Sequence, residues 1–142
     1  MMATHISDEV RQKVVQRAQR RCEYCQSPQL LTGLPFTLDH IISRQAGGTD
    51  NLDNLCLACS ACNSHKHIRT TATDPESGKT VPLFHPRRQR WQDHFEWSKD
   101  GEQVVGQTAV GRSTIIALQL NRELVVNARR MWVSAGWHPP SE

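Results

Sequence analysis

The 142-residue sequence lacks the features that mark membrane and secreted proteins. It contains no apolar run of about 18 residues, which is the length needed to cross a bilayer. Residues 1–7 lack the apolar core of a secretory signal, so we expect a cytoplasmic protein with no membrane partner. Only 37% of the residues are hydrophobic and 6% are aromatic. A core of that composition is modest, and an additional crosslink would strengthen it.

The sequence also has almost no excess of positive over negative charge. Lys and Arg together number 17 and Asp and Glu 14, which gives a net charge of +3. That excess is too small to indicate a nucleic-acid partner by itself. The sequence does have five cysteines. In a reducing compartment they are expected to be metal ligands or thiols rather than disulfides.

The pattern of apolar residues, caps and turns changes near residue 70. Before that point it predicts a helix over 6–21, a strand over 36–42, a second extended stretch near 54–57 and a short helix over 60–68. Beyond it, the pattern predicts a connector over 71–83, a hairpin of 94–97 with 103–107, an ambiguous segment over 112–120 and a last helix ending at Gly136. The apolar face of that helix is predicted to include Leu124, Val125, Met131 and Trp132. We therefore expect a domain over 1–70 and an extension over 71–142 packed on it.

Two C-x2-C units, Cys22–Cys25 and Cys59–Cys62, are typical of a metal site. Four thiolates in tetrahedral geometry satisfy Zn²⁺ and leave no open position, so such a site is structural. The alternatives are buried thiols, one redox-active pair, or an iron–sulfur centre, although the usual local spacing for a cluster is missing. Cys56 follows Leu55 in an apolar stretch and is predicted to be a core residue.

Asp39 and His40 lie between the two cysteine pairs, at the end of the predicted strand. Neighbouring residues on a strand point to opposite faces, so a bend would be needed for both to serve one site. By themselves they would be interpreted as surface polar residues. The residues around them change that interpretation, namely the two C-x2-C units, Gly47-Gly48, Asn54-Leu55, Asn63 and Lys66.

This ordered set resembles the HNH endonuclease family over about residues 18–70. The resemblance implies a ββα-metal finger. With the zinc site of four cysteines, the predicted N-terminal helix before the finger and the predicted hairpin-plus-helix extension after it, we expect an α+β fold. His40 matches the general base that activates water, and Asn54 the middle Asn that orients the base or supports the finger. Asp39 and Asn63 match the two metal-binding positions. Asn63 replaces the last His of the family name. His67, one helical turn later, is a further metal ligand, a solvated side chain or a phosphate contact.

The chemistry of these residue types agrees with that assignment. A histidine can accept a proton at neutral pH, and a metal can neutralise the charge that develops on a phosphate. Carboxylate and amide oxygens suit Mg²⁺ or Mn²⁺. The resemblance implies nucleic acid, DNA foremost, as the substrate. The predicted nucleic-acid contacts are Lys66, Arg69, Arg87, Arg88 and Arg90. The alternative for the first two is a solvated charged face, and the last three could equally belong to a surface turn anchored by Trp91.

Three functions are compatible with the sequence. The first is a metal-dependent endonuclease, and the second is a catalytically silent zinc module that binds nucleic acid. The third is a zinc finger that binds a protein. Asp39 and His40 favour the first, because a module that only binds has no need of a base beside a metal-binding carboxylate.

Overall fold

The computed structural model describes residues 6–141, which form two compact units. The first comprises residues 6–70 together with 85–88, and the second comprises 71–84 and 89–141. Each combines short helices with two-stranded antiparallel sheets, which confirms the predicted α+β class. None of the helices in the described range is long and apolar enough to cross a membrane. Residues 1–5, part of the segment searched for a signal peptide, lie outside the described residues.

The first unit contains the elements that surround Asp39 and His40. In chain order they are α1 (Asp8–Arg17), the single turn α2 (Gln29–Thr32), β1 (Thr37–His40), β2 (Leu55–Ala58) and α3 (Ser60–Lys66). Ser7 caps α1 as predicted, because its Oγ accepts a hydrogen bond of 3.2 Å from the Val10 N–H. The helix was predicted to reach residue 21 but ends at Arg17. Gln19 and Arg20 have positive φ angles of 55° and 57°, which a right-handed helix does not accept.

The strands β1 and β2 pair in a register that separates two chemically different faces. Leu38 lies opposite Leu57 on one face, and Leu57 belongs with Val14 of α1 to the buried core of this unit. Asp39 lies opposite Cys56 on the other face. The helix α3 packs against β1. Two antiparallel strands followed at once by a packed helix form the predicted ββα arrangement.

The second unit is built from short elements that end in two longer helices. They are β3 (Thr71–Thr73), β4 (Thr80–Pro82), α4 (Trp91–His94), β5 (Phe95–Trp97), β6 (Val104–Gly106), α5 (Ala109–Leu118) and α6 (Glu123–Ser134). The predicted hairpin of β5 with β6 and the last helix are confirmed. The ambiguous segment over 112–120 is largely helical, and Thr108 caps it by accepting from the Gly111 N–H at 3.0 Å.

The connector predicted over 71–83 is instead a hairpin of β3 with β4. Its turn depends on Asp74, which is fully buried and accepts from the N–H groups of Glu76 and Ser77. Arg112 of α5 donates to both Asp74 oxygens, at 2.9 and 3.0 Å. The Arg112 guanidinium and the Ser77 contact hold the pKa of the Asp74 carboxyl well below its usual range. The prediction was wrong because this partner lies 38 residues away in the sequence.

The face that α6 buries also differs from the predicted one. Val125 and Trp132 are buried, but Leu124 and Met131 are 81% and 72% exposed. Arg129 is fully buried in their place, and it donates to the carbonyl oxygens of Leu120 and Glu102. An arginine can occupy such a position because its guanidinium satisfies several buried acceptors at once.

Candidate active site and metal centre

The four cysteines of the two C-x2-C units come together in the first unit. Their sulfur atoms all lie within 4.8 Å of one another, and all four residues are buried. All five cysteines of the chain lie within the described residues, and none of them forms a disulfide. Four converging thiols with this burial have the composition of a zinc site. The fold therefore brings together the four cysteines that the C-x2-C spacing predicted to share a metal site.

The local backbone and the proton affinities of the thiols fit such a site. The N–H of Cys25 points to the Cys22 sulfur at 3.5 Å, and the N–H of Cys62 points to the Cys59 sulfur at 3.4 Å. Such bonds stabilise a thiolate. Hydrogen bonds from the other thiols of the cluster lower the pKa of Cys25, whereas burial raises the pKa of Cys22. The four thiols thus compete with one another for protons, and a bound divalent ion would displace those protons.

The two residues inside the first C-x2-C unit connect this cluster to its surroundings. Glu23 accepts from the Leu57 N–H at 2.7 Å through one oxygen and pairs with Arg87 through the other. The Tyr24 hydroxyl donates to Asp39 at 2.7 Å. Burial raises the pKa of the Tyr24 phenol, so this group remains a hydrogen-bond donor. Ordering the cysteine cluster therefore also positions the Asp39 carboxylate.

Asp39 lies in a buried polar cluster on the α3 side of β1. It is only 4% exposed, and its carboxylate pairs with the Lys66 ammonium at 3.1 Å. Lys66, which is 1% exposed, also donates to the His40 carbonyl at 3.0 Å. The Cys56 thiol lies 3.8 Å from the same carboxylate, and burial followed by the Asp39 charge raises its pKa. A cation therefore already occupies one side of the predicted metal-binding carboxylate.

The prediction that Lys66 contacts phosphate is corrected by this burial. Its ammonium faces Asp39 inside the unit rather than solvent. Arg87 is a second correction, because its guanidinium pairs with Glu23 and its side chain is 14% exposed. Burial, and then the neighbouring Arg17 charge, lower the pKa of Arg87 to about 10. Both cations were expected at the surface, since sequence alone did not show their acidic partners.

His40 lies at the end of β1 with its side chain 20% exposed. Its Nε2 is 2.7 Å from Asp50 Oδ1. The same oxygen accepts from the Nε and Nη2 atoms of Arg44, at 3.1 and 2.9 Å. The hydrogen bond with His40 and then those from Arg44 lower the pKa of the Asp50 carboxyl. No partner of His40 Nδ1 is found in the described part of the chain.

The structure does not bring the Asp39 and His40 side chains into contact. They are neighbours on a strand, and each bonds to a different set of residues within the described range. Asn63 lies on α3 one turn before Lys66, and no hydrogen bond of its amide side chain is found among residues 6–141. His67 is exposed and ends α3 with a φ angle of 50°, so it caps the helix instead of continuing it.

Asn54 holds the loop that joins β1 to β2. Its side-chain oxygen accepts from the Ile42 N–H at 2.9 Å, and its amide donates to the carbonyls of Ile42 and Thr49 at 2.9 and 2.8 Å. Gly48 approaches Ile42 so closely that a Cβ there would lie 1.7 Å from the Ile42 oxygen. The loop therefore requires both residues, and it carries Asp50 at its end.

Replacing Asn54 with alanine is expected to lower the free energy of unfolding by about 3 kcal/mol, because buried backbone groups lose their partners. Urea titration of purified protein measures this change. Asn51→Ala is the matched control, since Asn51 is exposed and makes no side-chain cap bond. We expect the control to stay within about 0.5 kcal/mol of wild type. Equal losses in the two variants would contradict a clamp at Asn54.

The other predicted nucleic-acid contacts are exposed. They are Arg69, Arg88 and Arg90. Arg88 also lines a groove of about 510 Å³ in the first unit, whose other wall includes Gly47, Gly48 and Thr49. No ion pair of Arg88 is found among the described residues. His85 lines the same groove, and burial followed by the Arg88 charge lowers its pKa.

Comparison with known proteins identifies the segment that contains this site. Residues 22–69 match the family described as HNH endonuclease. The resemblance inferred from the motifs is therefore confirmed for this segment, which includes both cysteine pairs, Asp39, His40, Asn54 and Asn63. No curated protein and no solved structure matches the chain.

Asp50 is the site residue that sequence reasoning missed. It lies in the run that follows Gly47-Gly48, but no role was assigned to it. Asp50 lies ten residues after His40, and neither helix nor strand periodicity predicts a contact at that separation. The contact forms because the loop folds back onto β1. An acidic residue directly after a glycine turn that follows a candidate base was the available clue.

Proposed function

We propose that the protein is a metal-dependent endonuclease that hydrolyses phosphodiester bonds in nucleic acid, DNA foremost. The observation that carries this proposal is the exposure and hydrogen bonding of His40, which lies within the segment that matches the HNH endonuclease family. Its ring is partly exposed and fixed through Nε2 by a hydrogen bond of 2.7 Å. Its Nδ1 remains available to a water molecule. A histidine held in this way suits general-base catalysis near neutral pH.

His40 would take the proton of the water that attacks the phosphorus. Asn54 would act at a distance, since its three hydrogen bonds fix the loop instead of contacting the ring. Arg88 is an exposed cation beside the groove and would contact the phosphate backbone. Arg69 and Arg90 would add contacts that do not depend on sequence, as cations facing phosphate generally do.

Asp39 and Asn63 would hold Mg²⁺ or Mn²⁺, with His67 as a further donor. The donor set of a carboxylate and an amide oxygen fits a hard cation. The Lys66 ammonium already pairs with the Asp39 carboxylate. A bound divalent ion would supply charge neutralisation at the scissile phosphate. Its binding must compete with the ion pair between Asp39 and Lys66.

Zinc would occupy the cluster of four cysteines as a structural ion. Support comes from the convergence of four buried sulfur atoms and from the contacts that Glu23 and Tyr24 make with the rest of the unit. Four protein ligands leave no position for water on such an ion. The structural and catalytic ions are therefore proposed to be different ions at different places.

A catalytically silent nucleic-acid-binding module is the second candidate. The observation that favours it is again the buried ion pair of Asp39 with Lys66, because a carboxylate neutralised in this way has less attraction for a divalent ion. Such a module would retain the zinc cluster and the exposed arginines. It would bind nucleic acid without cutting it.

Cleavage of supercoiled plasmid with and without added Mg²⁺ or Mn²⁺ separates the two candidates. We expect metal-dependent conversion to nicked or linear DNA, slowed by about 10²–10⁴-fold in His40→Ala because the general base is lost. His65→Ala is the matched control, since His65 lies on α3 and has no assigned role. Zinc content and the unfolding midpoint are measured for each variant. A folded His40→Ala protein that cuts at the wild-type rate would refute the site, and binding without cleavage would support the silent module.

A further inference from the structure

Asp50 holds His40 through the ring nitrogen Nε2. The distance from Nε2 to the Asp50 oxygen is 2.7 Å, and both side chains are partly exposed, at 20% and 24%. A carboxylate accepts hydrogen bonds but cannot donate one when ionised. The proton of a neutral His40 ring must then lie on Nε2. Its lone pair lies on Nδ1, which has no partner within the described residues.

The Asp50 carboxylate is itself held in place. Arg44, from the turn at Arg44–Ala46, donates twice to the oxygen that bonds His40. The loop that carries Asp50 is closed by Asn54 through Ile42 and Thr49. The carboxylate therefore has little freedom to leave the ring. A hydrogen bond that is fixed from both ends orients an imidazole better than one to a mobile side chain.

We propose that Asp50 is a positioning residue for the general base His40, fixing its Nε2–H tautomer and directing Nδ1 to the attacking water. This inference rests on the proposed nuclease function. When His40 accepts a proton, the Asp50 carboxylate stabilises the imidazolium that results. Arg44 keeps the carboxylate ionised and aligned. The proton moves from water to His40 Nδ1, and Asp50 gains none.

The first readout is independent of catalysis. In full-length zinc-loaded protein labelled with ¹⁵N-histidine, we expect a His40 Nε2–H proton resonance that is protected from exchange with water. The resonance is assigned by its loss in His40→Ala. Asp50→Ala and Asp50→Asn test the contact, and Asp53→Ala is the matched control, since Asp53 is an exposed carboxylate at the end of the same loop. The resonance should disappear in Asp50→Ala and persist in Asp53→Ala.

The second readout is the split between kcat and KM on plasmid or oligonucleotide DNA. We expect Asp50→Ala to lower kcat by about 100-fold and to leave KM within about twofold, because the base is misaligned while the binding surface is unchanged. Asp50→Asn keeps the side-chain volume and serves if the alanine variant does not fold. The asparagine amide retains the shape of the carboxylate but not its charge. The kcat of Asp50→Asn should therefore fall between those of wild type and Asp50→Ala.

The outcomes of the two readouts can be told apart. A protected His40 resonance that survives in folded Asp50→Ala overturns the proposal, whatever the activity. An unchanged kcat in that variant overturns it as well. If wild-type protein cuts no substrate, the nuclease function fails, and the resonance still decides whether Asp50 fixes the ring.

Discussion

Replacement of Cys59 by alanine should release the zinc ion and unfold the first unit. The four sulfur atoms converge from two segments that are far apart in the sequence, and one missing ligand opens the site. Zinc binding to sites of this type contributes about 10–16 kcal/mol to folding, while whole domains are stable by only about 5–15 kcal/mol. The core of this unit is small and centred on Val14, Leu55 and Leu57. We therefore expect it to be too small to keep the unit folded without the ion.

Cys56→Ala is the matched control for that experiment. Cys56 is the fifth cysteine, it is as deeply buried as the others, and it lies outside the metal cluster. We expect about one zinc per chain in wild type and in Cys56→Ala by elemental analysis, and well under one in Cys59→Ala. Circular dichroism on heating should show a lost or greatly lowered transition for Cys59→Ala only. Full zinc content in Cys59→Ala would rule out the four-cysteine site.

The cluster of four cysteines was predictable because the local C-x2-C spacing indicates a metal site. Each C-x2-C unit is a short turn that presents two thiols together, and few other structures require that pattern. The order of strand, loop, strand and helix in the first unit was predictable for a similar reason. Caps such as Ser7, and apolar residues that alternate with polar ones such as Phe36 and Leu38, act within a few positions.

Contacts between distant residues were not predictable. Lys66 reaches Asp39 over 27 residues, and nothing in its own neighbourhood distinguishes it from a surface lysine. Arg112 reaches Asp74 in the same way, and that pair turns an expected loop into a hairpin. Burial of Arg129 in place of Leu124 shows that even a clear helical period does not decide which face packs. Satisfaction of buried polar groups, which depends on the whole fold, decided these cases.

The same long-range contacts affect how the proposed site would work. Asp39 is linked to the cysteine cluster through Tyr24 and to α3 through Lys66. His40 is linked to the glycine loop through Asp50. The proposed base and the proposed metal-binding carboxylate thus have different side-chain partners, although Lys66 also donates to the His40 carbonyl. Loss of Asp50 should therefore leave the contacts of Asp39 largely intact, whereas loss of Lys66 removes a partner of both residues.

Replacement of Lys66 by methionine should destabilise the protein by about 3–5 kcal/mol, because it leaves the buried Asp39 carboxylate without its cation. The double variant Asp39→Asn with Lys66→Met removes both charges and should recover much of that loss. Lys13→Met is the matched control. Lys13 pairs with Glu9 at 3.4 Å, but the two side chains are 58% and 78% exposed. An exposed pair of this kind contributes about 0–1 kcal/mol, so the control should unfold close to wild type.

The Lys66→Met protein also tests whether Asp39 can receive a divalent ion. In wild type, Mg²⁺ or Mn²⁺ must displace the ammonium from the carboxylate, whereas in the variant the carboxylate has no competing cation. Added metal should therefore raise the unfolding temperature of zinc-loaded Lys66→Met more than that of wild type, by preferential binding to the folded state. The further substitution Asp39→Asn should remove this response. Equal shifts in wild type and Lys66→Met, or a response that survives Asp39→Asn, would contradict binding of the divalent ion at Asp39. The absence of any metal response in these proteins would favour the silent nucleic-acid-binding module.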